Sequence, residues 1–301
     1  MNEQIMPTLK DLSAQIKTLP LLPTVVTQVM ALNEKDSDFY ESLLKIVKTD
    51  PPMCATLLRL ANSAAYSIGS NVKTIESAMM RIGTQAFMES ISSAGVARVF
   101  IPKSAHQKGL WRHSIRTALI ASMLAKKASV LHINANQAYM VGLMHDIGSF
   151  VLLDLLPGSI DKIEDKGWEI NNEKVDVERS MIGYDHSEIG YLVCQHWGFH
   201  DEIAEIIRDH HKENIWENSE IPLSKRRMMM IVQFSDYFAS LMENISEWQE
   251  MDINELAFKV EAECKYPIWS MLKVVPVDIV EWIKTLDEEI TSVSNIMGVN
   301  S

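Results

Sequence analysis

No long stretch of this chain alternates apolar and polar side chains, and apolar residues instead recur every three to four positions along most of it. Phe39, Leu43, Leu44 and Val47 follow that spacing, as do Ile75, Ala78, Met79 and Ile82, and later Ile115, Leu119 and Leu124. A half-buried strand needs a period of two, so these runs exclude a large sheet and predict an all-α fold. Eighteen methionines and only 12 glycines lean the same way. Hydrophobic residues make up 47% of the 301, enough for a sizeable core.

The pattern divides the chain into three parts. Residues 1–104 read as an N-terminal helical lobe, with helices over Thr24 to Leu32, from a cap at Asp36 or Ser37, after Asp50-Pro51-Pro52, after Thr74, and over Thr84 to Phe100. This lobe carries no histidine. Residues 105–245 read as a helical domain, with helices over Leu110 to Ala128, Ala135 to Ile147, Ser149 to Leu156, Asp185 to Trp197, Asp201 to His211 and Leu223 to Glu243. Asp161 to Asp176 is polar and reads as an exposed hairpin or loop. Residues 246–301 read as a C-terminal helical cap packed on the core, with helices over Asn254 to Cys264 and Val277 to Val299 around a Pro267 to Pro276 connection.

The net charge of -12, with a pI near 5.2, argues against a nucleic-acid partner, which needs a basic footprint. Cys54, Cys194 and Cys264 are too few and too scattered for a disulfide framework, and read as reduced thiols. Residues 1–10 lack a signal-peptide pattern, and no run reaches 18 apolar residues, so a cytoplasmic chain without a membrane span is expected.

All nine histidines lie between His106 and His211. His145 and Asp146 are adjacent inside an apolar run, between Met144 and Ile147. A buried imidazole and carboxylate there must be paired or bound to metal, because an isolated buried charge is costly. His113 sits mid-helix, His186 follows a capping residue at Asp185, His210 and His211 close a helix, and Asp236 lies between Phe234 and Phe238. A bundle can converge such residues on one interior point. His106, His132 and His200 are placed outside that point.

The chain resembles the HD-related output domain family, HDOD, within the HD metal-dependent phosphohydrolase superfamily. The likeness rests on Thr49-Asp50-Pro51, Leu57-Leu58-Arg59-Leu60-Ala61-Asn62-Ser63-Ala64, Ile75-Glu76-Ser77-Ala78 and Ile82-Gly83. It continues through Leu110-Trp111-Arg112-His113-Ser114, Gly142-Leu143-Met144-His145-Asp146-Ile147-Gly148, Glu178, Gly183-Tyr184-Asp185-His186, Gly190, His196-Trp197-Gly198-Phe199 and His210-His211. The resemblance implies an HD-type bundle. It implies one metal held by His113, His145, Asp146 and Asp236, and a second by His186, His210 and His211 with Asp146 shared. Iron or manganese is expected, with zinc as the rival. Asp146, with Arg112 and Lys212 flanking the ligands, forms the candidate catalytic set.

Two departures separate the chain from the HD-GYP relatives that cleave cyclic di-GMP. The lysine they carry after the doublet is replaced in Gly148-Ser149-Phe150, and their Gly-Tyr-Pro phrase is absent after His210-His211-Lys212. Gly109 stands where some relatives place a glutamate for a third metal. The resemblance implies a bacterial-type signalling module whose metal centre binds a regulatory ligand; the alternative is a metal-dependent phosphohydrolase acting on a nucleotide or other phosphoester. A protein partner or a small phosphorylated ligand is expected, with the oligomeric state open.

Overall fold

Sixteen α-helices and one 3-10 turn account for the regular structure, and no strand occurs among the described residues of this computed structural model, which are 8–63, 66, 71–156, 171–245, 247–263 and 275–299. In the first hundred residues the helices are α1 (Leu9–Ile16), α2 (Thr24–Met30), α3 (Phe39–Lys48), α4 (Pro51–Ala61), α5 (Ile75–Ile82) and α6 (Thr84–Ala97). Next come α7 (Ala105–Lys127), α8 (Ala135–Met144), α9 (Ile147–Leu155), α10 (Asn171–Ile182), α11 (His186–His196), α12 (Asp201–Asp209) and α13 (Leu223–Asn244). The last three are α14 (Ile253–Glu263), α15 (Pro276–Lys284) and α16 (Asp287–Ile296). The architecture is all-α, as the periodicity required.

Local chemistry sets most boundaries. Asp50 accepts a bond from the Met53 amide at 2.8 Å, and Pro51 opens α4, where its missing N–H costs nothing. Thr74 caps α5 through the Ser77 amide. Gly83 separates α5 from α6 at φ +85°, a conformation that L side chains rarely adopt. Asp185 and Glu188 form a capping box at the start of α11.

Five expectations need correction. α7 starts at Ala105 rather than Leu110, because Ser104 and Gln107 build a capping box ahead of the apolar stripe. α3 starts behind Asp38, which makes no side-chain cap bond, so Asp36 and Ser37 are not its caps. The helix from Ala135 ends at Met144, and His145 and Asp146 sit in the break before α9. Within the stretch taken as loop, 171–176 belong to α10, while 161–170 lie outside the described residues, as do Ala64, Cys264 and the connection before residue 275. The final helix divides at Thr285 and Leu286 into α15 and α16.

α7 is the central post. It packs along α8 and α13 and takes α16 on a further side. α11 lies against α9 and α12, α6 against α8, and α2 against α6. One contiguous apolar core runs through all of this, with Trp111, Tyr139, Phe150, Phe234 and Phe238 among its largest buried side chains. By length and composition alone, Ala135–Leu155 would pass for a membrane crossing, contrary to the apolar-run count, yet 89% of its window is buried inside the protein. His196 Nε2 donates to the Leu19 carbonyl at 2.9 Å, and Trp197 Nε1 donates to that of Pro20 at 2.9 Å, tying the first lobe to the end of α11.

Candidate metal centre

Five places in the fold deliver the seven candidate ligands. His113 projects from the middle of α7 and Asp236 from α13, two helices in direct contact. His145 and Asp146 come from the α8–α9 break, where the chain turns two successive side chains inward. His186 is the first residue of α11, positioned by the Asp185 cap. α12 ends at Asp209, so His210 and His211 lie past its last residue, their rings tilted by 43° with centroids 3.9 Å apart. Adjacent residues on a continuous helix would diverge by about 100°; the helix end is what lets both face one point.

The ligand atoms form two clusters, each confined within 4.8 Å: His113, His145 and Asp236, then Asp146, His186, His210 and His211. His113 Nε2 lies 3.0 Å from Asp236 Oδ1, and His145 Nε2 lies 3.7 Å from the same oxygen. Asp146 stands between the clusters. Its Oδ2 is 3.6 Å from His145 Nε2, while its Oδ1 is 3.1 Å from His186 Nε2 and 3.9 Å from His210 Nε2. All seven residues are buried except His211, which is half-buried.

The outward nitrogens are tied down. His145 Nδ1 donates to the Gly142 carbonyl at 2.7 Å, and His210 Nδ1 donates to the Ile207 carbonyl at 2.6 Å. His186 Nδ1 donates to Glu178 at 2.7 Å, and Glu178 also accepts the His186 amide at 2.9 Å. A carbonyl can only accept, so Nδ1 of His145 and of His210 carries a proton, and such a ring, when neutral, turns an Nε2 lone pair inward. This is the support that metal-ligating imidazoles ordinarily receive. His145 Nε2 and His210 Nε2 are buried without a hydrogen-bond partner. His186 Nε2 and His211 Nε2 meet at 2.9 Å, a contact that needs a proton or another cation between two lone pairs. Orphaned donors aimed at one point fit a metal, and either cluster could hold one.

The electrostatics agree. Burial opposes ionisation of Asp146, yet Lys174, His145 and His186 hold its carboxyl well below the usual range. Burial also opposes ionisation of Asp236, and the bond from His113 with the nearby His145 ring outweighs it. Burial disfavours a charged His186, but Glu178 and Asp146 prevail and push it up to about 10. Burial, then the charge on His145 and His186, pushes His210 down to about 4. Protons and metal therefore compete for the same Nε2 atoms.

Two of the predicted flanking cations lie elsewhere. The Arg112 guanidinium donates to the Val299 carbonyl at 3.2 Å, and Lys212 pairs with Asp209 at 3.0 Å on the rim of a neighbouring hollow. Neither lines the cavity of about 280 Å³ above the ligands. Lys174 does, with its Nζ 3.9 Å from Asp146 Oδ2. His106 also lines it, beside Gly109, so it sits nearer the centre than its polar neighbours implied. Sequence reasoning gave no role to Glu178 or Lys174. Glu178 stood among the family phrases eight residues before His186, which is two helical turns and a cap away; Lys174 carried no signal, lying in a stretch taken for a loop.

Known proteins of this shape exist. A candidate phosphohydrolase from Shewanella amazonensis SB2B matches with a TM-score of 0.67 at 20% identity, over 95% of this chain and 97% of that one. An HDOD domain protein with unknown function from Geobacter sulfurreducens matches with a TM-score of 0.67 at 20% identity, over 95% and 96% of the two chains. A candidate signal transduction protein from Marinobacter aquaeolei VT8 gives 0.69 at 17% identity, over 98% of this chain and 62% of that one. At these identities the likeness speaks for the fold. In sequence, an uncharacterised protein of Treponema pallidum (strain Nichols) is 25% identical over 201 residues, covering 67% of this chain but 39% of that relative. This chain thus spans well under half of that relative's length. The HDOD domain profile itself matches residues 19–213, from the segment held by His196 and Trp197 to just past the paired histidines. The chain belongs to the HDOD domain family.

Proposed function

We propose that this protein is a signalling module that reads a regulatory ligand at a centre of two divalent metal ions. The position of Asp146 carries the proposal, with one carboxylate oxygen toward each cluster. His113, His145, Asp146 and Asp236 would hold one ion. His186, His210, His211 and the shared Asp146 would hold the other. Imidazole-rich sets with carboxylates suit iron or manganese, with zinc as the rival. Seven protein ligands leave coordination positions for a small ligand. Residues 1–104 are the partner-facing lobe, 105–245 the metal-binding domain and 246–301 its cap, and the protein acts in the cytoplasm. The resemblance of fold to a candidate signal transduction protein supports this role by analogy.

A second reading, a metal-dependent phosphohydrolase acting on a nucleotide or other phosphoester, is favoured by the cavity that opens directly onto the ligands. Bound divalent metal would supply Lewis acidity and a water activated near neutral pH. The chain's own part would be to fix the imidazoles through Gly142, Ile207 and Glu178 and to exclude bulk water with Leu110 at the cavity wall. Elemental analysis of protein purified without chelator tests both readings. About two ions per chain supports the centre, and less than about 0.2 rejects both. Turnover on a panel of phosphomonoesters, nucleotides and cyclic dinucleotides separates enzyme from module.

A further inference from the structure

Among the described residues lining the cavity, one lysine or arginine occurs, Lys174. It enters from α10, and its side chain is 17% exposed. A lysine at a helix surface ordinarily runs its stem outward and leaves its ammonium in water. This one turns inward, with Nζ 3.5 Å from Ser149 Oγ and 3.9 Å from Asp146 Oδ2. Ser149 follows Asp146 by three positions, so the ammonium hangs over the start of α9 beside the bridging carboxylate. Glu243, also in the lining, is held at 2.8 Å by Arg116 and adds little net charge.

Two divalent ions and the ammonium would bring five positive charges, while among the described residues Asp146, Asp236 and Glu178 would return three. The surplus of two, in a buried setting, favours a dianion in the cavity. A phosphoryl group near neutral pH carries about that charge and presents three acceptor oxygens. An ammonium binds phosphate as a point charge with rotatable donors and requires no planar fork.

We propose that Lys174 is a specificity-determining residue of this centre, its ammonium holding a phosphoryl oxygen of the ligand. The assignment rests on the two-ion reading above and narrows the ligand to free phosphate or a phosphate monoester.

Calorimetric titration of the metal-loaded protein with inorganic phosphate and, separately, with a nucleoside 5′-monophosphate tests it, with the neutral nucleoside as control. Wild type is expected to bind both phosphates and ignore the nucleoside. Lys174→Met and Lys174→Gln should weaken phosphate binding about tenfold or more at unchanged metal content, and Lys174→Arg should keep most of it. Tighter binding of the monophosphate points to a nucleotide source and equal binding to a bare phosphoryl group; either supports the role. Undiminished phosphate binding by both neutral variants overturns it. So does metal loss in both, which would make Lys174 a support for Asp146. A wild type that holds metal yet binds neither phosphate overturns the assignment alone, and one that holds no metal overturns the two-ion centre with it.

Discussion

Among the described residues, the buried polar cluster that joins α6 to α7 and α8 and the histidine and aspartate centre behave in opposite ways. Glu89 accepts from Gln85 Nε2 at 2.7 Å and from the Ser122 hydroxyl, with Lys126 Nζ 3.8 Å away. Gln85 also reaches Asn136 at 2.7 Å, and Ser93 meets the Tyr139 hydroxyl. None of these side chains has a buried polar atom without a partner. The other cluster is the histidine and aspartate centre, where His145 Nε2 and His210 Nε2 lack one. Burial of polar groups alone therefore does not announce a site. A network that closes on itself holds helices together, whereas one whose lone pairs converge without donors is built for something else.

The largest expected contrast comes from removing the carboxylate common to both clusters. Asp146→Ala should abolish metal binding and destabilise the fold by about 3–5 kcal/mol relative to the metal-loaded wild type, since buried imidazoles lose their counter-charge. Metal content equal to wild type in that variant would contradict the ligand assignment.

The matching cut in the closed network is Glu89→Ala. It should cost about 1–3 kcal/mol in urea unfolding by taking the acceptor from the buried Ser122 hydroxyl and one of the two acceptors from Gln85, yet leave metal content unchanged. Loss of metal in Glu89→Ala would show that the two clusters are coupled and that the contrast is false.

A smaller effect concerns pH. Burial, then the charge on Glu89, pushes Glu289 from 4.5 up to about 7. The folded chain thus holds that proton more tightly than the unfolded chain does. Its contribution is fully present below about pH 4.5 and is lost as pH rises toward 7. Glu289→Gln cannot lose it. Wild type should therefore become less stable relative to Glu289→Gln between pH 4.5 and 7, measured as unfolding midpoints in urea. A constant difference across that window would place Glu289 in ordinary solvent.

The smallest effects should follow Arg112→Ala and Lys212→Ala. Their partners lie away from the cavity, and Lys212 is 59% exposed. Unfolding midpoints should shift little and metal content not at all. A metal deficit in either would return it to the centre.

Much of this was legible before any coordinates. The apolar spacing dictated helices, and Asp50, Thr74, Gly83 and Asp185 marked ends where the backbone needed a cap or a positive φ. His145, Asp146 and Asp236 stood out because imidazoles and carboxylates are rare in apolar runs, while the family resemblance supplied the ligand roles of all seven. What escaped depended on neighbours remote in sequence. Arg112 and Lys212 sit beside ligands along the chain but face away from them. Lys174 is far along the chain from Asp146 and near it in space. The break after Met144 was hidden by an unbroken apolar run, because both short helices are buried all round and carry no polar face to mark their ends. The Glu89 network was invisible for the reverse reason: serines, a glutamine and an asparagine on separate helices have no shared spacing.

The break after Met144 is immediately followed by Gly148, and a methyl group added there would meet the His186 carbonyl oxygen at 1.9 Å and the Gly190 amide at 2.7 Å. A methyl group added at Gly190 would point into the same seam, 3.6 Å from the Gly148 amide nitrogen. Main chain thus rests on main chain where α9 meets α11, with no side chain in between to act as a spacer. Asp146 precedes that seam by two residues and His186 lies on its far side. Their spacing works like a caliper with fixed jaws: rotamer changes elsewhere in the core cannot open it, and only sliding one helix along the other can. Drift at Gly148 would have to be accompanied by a shift of α11, so the gauge of the centre is held by the absence of two side chains as firmly as by the presence of seven.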